Sequence, residues 1–252
     1  MSAATPAAAP KLGESRPPVV ILCGGRGTRL REHAQAIPKP LVEIGGLPIL
    51  WHVIQLYAVH GFQRFLLATG YKGELIERFA RDTPWPEGVS VQCVDTGLDT
   101  PTGGRIKLLE EHLSGERFCA TYADGVARID LTELLAFHCE HGHLATMTVV
   151  QPELQFGVTE LDDQDGRVLG FREKPRSEHW INGGFFCFEA GVLDYLEHNS
   201  VLERNPLERL AAGGELRAHR HGDFWECMDT YKDAVALNDL WESGEAPWRM
   251  WD

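Results

Sequence analysis

The sequence predicts an α/β fold: a single domain with a mixed, mostly parallel sheet and helices on both faces. Up to Val150, short apolar runs alternate with segments whose apolar residues recur at helical spacing. This alternation is typical of parallel strands joined by crossover helices, a Rossmann-like arrangement. Beyond Pro152 the pattern changes to a hairpin, one strand and a late helix. We therefore expect a mixed sheet.

Each element follows from the local pattern. Strands are expected at 19–23, 64–68, 89–94, 118–122, 145–150 and 180–188. Helices are expected from Pro48 to Gly61, at 74–80, at 105–113, from Asp130 to Gly142 and at 233–241. Glu133 would complete a capping box with Asp130, and Asp165-Gly166 marks a hairpin turn. Residues 19–252 are predicted to form one domain, since neither an internal repeat nor a linker stands out.

Composition and charge exclude several classes of protein. The chain has 252 residues, 37 acidic against 24 basic, and a formal net charge of −13. This balance disfavours general binding to nucleic acids or anionic membranes. An anionic small ligand would need the basic residues gathered in one cleft. Residues 1–18 are rich in alanine and proline and are predicted to be a disordered tail.

The cysteines and the apolar runs predict a cytoplasmic protein. Six cysteines occur without a C-x-x-C pair, and most lie inside apolar runs. This usage is typical of free thiols in a reducing compartment. No apolar stretch approaches the length of a membrane span.

A glycine-rich loop, LCGGRGTRL, follows the first predicted strand at 22–30. Such loops cradle phosphates because their amides can converge where no Cβ intervenes. A Walker A loop would need its Gly-Lys-Ser/Thr where Arg29 stands, and a dinucleotide fingerprint would need glycine where Leu30 stands. ATPase and dehydrogenase functions are therefore disfavoured. A simple tight turn would explain the glycines but not the proximity of Arg26, Arg29 and Lys39.

Together with later motifs, this loop resembles the sugar-1-phosphate nucleotidyltransferases, and among them it is most similar to the glucose-1-phosphate cytidylyltransferases. The motifs are IPKPLV at 37–42, GG at 45–46, PILWH at 48–52, GYKG at 70–73, VDTG at 94–97, TGGR at 102–105, TYADGV at 121–126, EKP at 173–175, INGGFF at 181–186, MDT at 228–230 and APWRMW at 246–251. The resemblance implies a GT-A-like nucleotidyltransferase domain.

The reaction that the resemblance implies joins two polyanions. A sugar-1-phosphate oxygen, from glucose 1-phosphate, attacks the α-phosphorus of a nucleoside triphosphate, CTP, and pyrophosphate leaves. The attacking phosphate has a second pKa of about 6 and is already ionised at neutral pH, so a general base is unnecessary. Catalysis then depends on positioning and on neutralising charge.

The resemblance also implies the site residues. The nucleotide would be held by Gly24, Gly25, Gly27, Thr28, Arg29, Lys39, Thr102, Gly103 and Gly104, with Arg29, Lys39 and Asp124 as catalytic residues. Asp124 and Asp229 would share Mg²⁺, which prefers oxygen ligands. By composition alone, Asp229 could equally be the N-cap of the last helix.

The sugar phosphate would be bound by Glu173, Lys174, Asn182 and Gly183. Lys174 would contact the phosphate, and Asn182, Gly183 and Glu173 would contact sugar hydroxyls. Alternatively, Lys174 is an exposed charge at the end of a hairpin, and Lys39 a solvated lysine between two prolines.

Three histidines, His138, His141 and His143, suggest either a zinc site or the end of a helix. No fourth ligand is evident, and histidine suits the negative end of a helix dipole. The sequence therefore favours the helix end.

Two departures from the family pattern leave alternatives open. Ala123 stands where glycine is common, and residues 80–88 form a shorter segment than the cytidylyltransferases carry. In that family the segment joins subunits, so a homo-oligomer is implied while its state is left open. Uridylyl or thymidylyl transfer, another sugar phosphate or a phosphonate are alternatives. A catalytically inert nucleotide-binding regulatory protein is disfavoured because the charged site residues are present.

Overall fold

The computed structural model describes residues 16–27 and 37–251. The strands are β1 (Val19–Leu22), β2 (Glu43–Ile44), β3 (Leu47–Pro48), β4 (Arg64–Thr69), β5 (Ser90–Asp95), β6 (Phe118–Tyr122), β7 (Gly125–Ala127), β8 (Ala145–Val150), β9 (Val158–Leu161), β10 (Val168–Arg172), β11 (Ile181–Phe188), β12 (Leu216–Arg220) and β13 (Trp225–Cys227). The α-helices are α1 (Ile49–Ala58), α2 (Gly73–Asp82), α3 (Thr102–Leu108), α4 (Glu110–Leu113), α5 (Leu131–His141), α6 (Asn205–Ala212) and α7 (Tyr231–Glu242).

Seven strands form the central sheet, in the order β12-β8-β11-β6-β1-β4-β5. Strand β11 is antiparallel to both of its neighbours, and the other pairings in this sheet are parallel. Three two-stranded ribbons accompany it, namely β2-β3, β7-β13 and β9-β10. The predicted mixed, mostly parallel sheet is therefore confirmed.

The core lies on both faces of this sheet. Val19 and Ile21 of β1 pack into one apolar cluster, which α1 and α5 cover, and Val20 packs into the other, which α3, α4 and α6 cover. This alternation follows from the two-residue period of a strand. Both faces of β1 are buried, which explains why its sequence is a continuous apolar run.

Two local predictions were wrong. The helix expected at 105–113 begins earlier, at Thr102 after Pro101, and it is interrupted at Leu109, where α3 gives way to α4. Asp130 caps α5 by accepting from the amides of Thr132 and Glu133, but Glu133 does not complete a capping box. The Asp130 carboxylate takes both amides, so the cap is formed without the reciprocal bond.

The first described residues contact the body of the protein. Arg16 Nη2 donates to Thr132 Oγ1 at 3.1 Å, and the Pro18 carbonyl accepts from the Cys119 amide at 2.8 Å. Of the tail predicted at 1–18, residues 1–15 lie outside the described residues. Among the helices that the structure describes, none combines the length and the apolarity that crossing a bilayer requires.

The sheet topology opens a crevice beside β1. From β1 the chain continues to β4 and β5 on one side of the sheet and then returns to β6 on the other. Ligands of open α/β sheets bind at such a reversal, outside the carboxyl ends of the strands. The glycine loop after β1 and Asp124 after β6 both lie at this edge.

Acid is expected to destabilise the fold through His52, which is buried on α1 with Nε2 donating to the Ile44 carbonyl at 2.8 Å. Burial lowers the pKa of His52 to about 4. Below pH 6.5 His52 binds a proton in the unfolded chain, whereas in the folded chain it stays neutral down to about pH 4. Stability that is present above pH 6.5 is therefore lost as the pH falls from 6.5 to about 4. We expect a loss of about 3 kcal/mol in the free energy of unfolding between pH 7 and pH 4. Urea denaturation across this range measures it, and His52→Gln should flatten the profile.

Candidate active site

A cleft of about 420 Å³ lies at the carboxyl ends of β1 and β6. Its walls include several of the residues predicted for the nucleotide, namely Gly24, Gly25, Gly27, Lys39 and Thr102, together with the two predicted metal ligands, Asp124 and Asp229. Gly103 and Gly104 follow Thr102 on α3 and are buried behind this wall. Thr28 and Arg29 lie outside the described residues. The cleft thus gathers residues from both ends of the chain.

Lys39 joins the two predicted metal-binding carboxylates. Its Nζ donates to Asp124 Oδ2 at 2.5 Å and to Asp229 Oδ1 at 2.7 Å. Lys39 begins a short 3₁₀ turn between Pro38 and Pro40, and the proline rings fix the backbone from which its side chain extends. The alternative of a solvated lysine does not fit, because only 12% of the side chain is exposed.

Asp229 approaches the site from the segment before α7. The N-cap of this helix is Thr230, which forms a capping box with Asp233. The alternative role of Asp229 as N-cap is therefore excluded, and its carboxylate points to Lys39. Asp124 reaches the same point from the turn between β6 and β7, where its carbonyl accepts from the Met228 amide at 2.9 Å.

The electrostatics keep Lys39 charged. Burial alone would lower the pKa of Lys39, but the carboxylates of Asp124 and Asp229 outweigh it and raise the pKa above the usual value. Ligand atoms of Asp124, Asp229 and Cys227 lie within 4.8 Å of one another. Burial, reinforced by Asp124, raises the pKa of the Cys227 thiol, which stays protonated. The two carboxylates are therefore the donors suited to a hard divalent ion.

The glycines of the loop after β1 are required by close neighbours. A Cβ on Gly24 would overlap the guanidinium of Arg105, and one on Gly27 would lie 2.9 Å from Lys39 Cβ. Gly27 also has a φ of +58°, which disfavours other residues. The loop consequently presents backbone, with no side chain from Gly24 or Gly27, along this wall of the cleft.

Arg105 is a functional candidate that the sequence prediction missed. Its side chain is buried under the glycine loop and donates to the carbonyls of Thr69, Gly97, Gly24 and Leu98 and to the Thr96 hydroxyl, at 2.6 to 3.3 Å. Burial lowers its pKa, but a guanidinium keeps its proton in proteins. Arg105 therefore ties the loops after β1 and β5 to the end of β4 and brings positive charge beneath the cleft.

A second cleft of about 410 Å³ adjoins the first. It is lined by Asn182 and Gly183, two residues predicted for the sugar phosphate, and it shares Tyr122, Asp124 and Asp229 with the first cleft. The two clefts thus meet at the pair of carboxylates that Lys39 joins. This arrangement suits two anionic substrates that must come into contact.

Glu173 and Lys174 are not brought to either cleft. Both side chains are exposed just past the end of β10, and neither lines the first or the second cleft. Lys174 has a φ of +43°. Their assignment to the sugar phosphate stays a prediction.

The side chains of the three histidines contact Thr146 and Arg217. His138 Nδ1 and His141 Nε2 both contact Thr146 Oγ1, at 2.8 and 2.6 Å, and His143 Nε2 lies 2.6 Å from Arg217 Nη2. Within 16–27 and 37–251, the group with metal-binding spacing is that of Asp124, Cys227 and Asp229. His138 and His141 belong to the end of α5, as the sequence favours, and His143 follows its C-cap, Gly142.

Comparison with known proteins agrees with this geometry. The sequence model of the family described as nucleotidyl transferase matches residues 18–239. The chain belongs to this family. The predicted nucleotidyltransferase class is therefore confirmed.

Relatives within the nucleotidyl transferase family include two glucose-1-phosphate cytidylyltransferases. The protein from Salmonella typhi is 42% identical over 260 residues, and the alignment covers 92% of this chain and 99% of the Salmonella typhi protein. The protein from Salmonella typhimurium gives the same identity and coverage. The resemblance drawn from the motifs is confirmed by both.

A solved member of the same fold is HddC from Yersinia pseudotuberculosis, complexed with GMP-PN. It superposes with a TM-score of 0.71 at 23% identity and covers 90% of this chain and 100% of its own. At this identity the similarity shows the fold alone.

Proposed function

We propose that this nucleotidyltransferase transfers a cytidylyl group from CTP to glucose 1-phosphate, giving CDP-glucose and pyrophosphate. The observation that carries the proposal is the meeting of the two clefts at Lys39, Asp124 and Asp229. The nature of both substrates comes from the relatives, whose names state this activity. The triphosphate would occupy the first cleft and the sugar phosphate the second.

The residues of the first cleft would bind and position the triphosphate. Backbone amides of Gly24 to Gly27 would cradle the phosphates, and Lys39 would neutralise charge at the α-phosphate. Thr28, predicted for the loop that cradles the triphosphate, and Arg29, predicted to bind the β- and γ-phosphates, complete this assignment. Because Thr102, Gly103 and Gly104 offer mainly backbone groups, the base would be recognised with few side-chain contacts.

Asp124 and Asp229 would hold Mg²⁺, since their carboxylates converge and are the oxygen ligands that this ion prefers. When bound, the ion would neutralise phosphate charge. Asp124 and Asp229 lie at the boundary of the two clefts, so they would present the ion to both substrates. The incoming phosphate oxygen needs no base from the protein.

The second cleft would take the sugar. Asn182 and Gly183 would contact sugar hydroxyls, and Lys174 and Glu173 are proposed as further contacts on the strength of the resemblance alone. Ala123, buried beside Asp124, stands where glycine is common in the family, and its methyl group would tighten the loop beside the metal site. A homo-oligomer and a cytoplasmic location, in which the six free thiols would stay reduced, are part of the same proposal.

The decisive experiment is a matrix of CTP, UTP, dTTP and GTP against several sugar 1-phosphates and one phosphonate, with pyrophosphate release measured in the presence of Mg²⁺. We expect CTP with glucose 1-phosphate to give the highest kcat/KM. Preference for UTP or dTTP would overturn the assignment of the base, and preference for another acceptor that of the sugar. Nucleotide binding without turnover on any pair would indicate an inert regulatory protein.

A further inference from the structure

The segment 198–203 packs against the start of α3, one wall of the first cleft. The Ser200 carbonyl accepts from the Gly104 amide at 3.0 Å, and the Leu202 amide donates to Thr102 Oγ1 at 2.9 Å. A Cβ on Gly103 would lie 2.9 Å from the Ser200 carbonyl oxygen. The two glycines of α3 therefore permit a backbone-to-backbone contact with the segment 198–203.

Glu203 ends this segment and connects two hydroxyl groups. Its Oε2 accepts from Thr102 Oγ1 at 2.7 Å, and its Oε1 accepts from Tyr122 Oη at 2.5 Å. Tyr122 Oη in turn accepts from Asn182 Nδ2 at 3.2 Å. An ionised carboxylate accepts hydrogen bonds through both oxygens. Thr102 therefore donates to Glu203 from one side, and Asn182 donates to Tyr122, which donates to Glu203, from the other.

This network extends from one cleft to the other. Thr102 lines the first cleft, Asn182 lines the second, and Tyr122 lines both. Glu203 lines neither. The Glu203 side chain thus fixes the hydroxyl groups of Thr102 and Tyr122 although it lines neither cleft.

We propose that Glu203 is a positioning residue that couples the nucleotide cleft to the sugar-phosphate cleft. This inference rests on the proposed function and adds an interaction between its two sites. A ligand that orders Thr102 and α3 also orders Glu203, and through it Tyr122 and Asn182. The second ligand then meets residues already in place, and its binding costs less conformational entropy. The coupling is reciprocal, because linkage requires it.

Binding of a non-reactive CTP analogue, with a methylene group between the α- and β-phosphorus, tests the coupling. Calorimetry with Mg²⁺ gives its Kd without and with saturating glucose 1-phosphate. In the unaltered protein we expect the sugar phosphate to lower this Kd by about five-fold or more. In Glu203→Ala the ratio should fall to about one, and in Tyr122→Phe, which removes a single hydroxyl, it should fall as well. Glu203→Gln, whose amide carbonyl still accepts, should keep part of it.

Glu208→Ala, an exposed acidic residue on α6, is the matched control and should keep the full ratio. If Glu203 had a purely structural role, Glu203→Ala would lower the melting temperature and would weaken binding of the CTP analogue both without and with glucose 1-phosphate. The ratio of these two Kd values would then stay unchanged. Unaltered coupling in Glu203→Ala, or an unaltered protein that turns over its substrates without coupling, overturns the inference alone. Absence of turnover on every substrate pair overturns the proposed function instead.

Discussion

Lys39→Met is expected to lower kcat/KM for nucleotidyl transfer by about 10² to 10³-fold, the usual cost of removing a preorganised charge from a reacting phosphoryl group. Lys39 is the described amine that contacts both carboxylates at the boundary of the clefts. Without the positive charge of Lys39, the negatively charged substrates would be repelled more strongly by the carboxylates of Asp124 and Asp229. Steady-state kinetics with pyrophosphate detection measures the loss.

The Lys39→Met variant also distinguishes the role of Lys39 from that of a metal ligand. The charged amine of Lys39 has no lone pair with which to bind a metal ion, so its removal should not raise the Mg²⁺ concentration needed for half-maximal rate. Lys232→Met, an exposed lysine on α7, provides the control and should keep the unaltered rate. A Lys39→Met enzyme with normal kcat/KM would contradict the role given to this residue.

Gly24→Ala is expected to lower the free energy of unfolding by about 3 kcal/mol, because the new methyl group overlaps a buried, fully engaged side chain. The Arg105 guanidinium would have to move, and the carbonyls of Thr69 and Gly97 would lose their donor. These carbonyls belong to the last residue of β4 and to the loop after β5, so the damage reaches beyond the glycine loop. Chemical denaturation measures the change.

The neighbouring Gly25 is a matched control for this effect. A Cβ on Gly25 meets nothing within 4 Å, so Gly25→Ala should change the unfolding free energy by no more than about 0.5 kcal/mol. Equal destabilisation by the two variants would show that the loop is sensitive to any side chain, rather than to the contact with Arg105.

The parts of the site that follow strands could be predicted from the sequence. Val19–Leu22 and Phe118–Tyr122 are buried apolar strands of the same sheet, so the residues after them had to lie at one edge. This explains why the glycine loop and Asp124 meet. Asp229 was harder, because a carboxylate before a helix has the composition of an N-cap, and the capping by Thr230 became evident only in the structure.

Residues that act through long-range contacts could not be predicted. Arg105 lies on a helix far along the chain from Gly24, and no local pattern indicates that its guanidinium turns under the glycine loop. Glu203 is one of 37 acidic residues, and nothing in its sequence neighbourhood distinguishes it. The sequence assigns Gly103 and Gly104 of α3 to the nucleotide, whereas the structure also gives them close packing on the segment 198–203.

Asp124 and Asp229 are central to the proposed function, because they would hold one divalent ion where both substrates meet. Binding of Mn²⁺, followed by electron paramagnetic resonance in the presence of the non-reactive CTP analogue, tests this role directly. We expect Asp124→Asn and Asp229→Asn each to weaken Mn²⁺ binding by about ten-fold or more, while Asp239→Asn, an exposed carboxylate on α7, binds as the unaltered protein does. Unchanged Mn²⁺ affinity in both site variants would contradict the account.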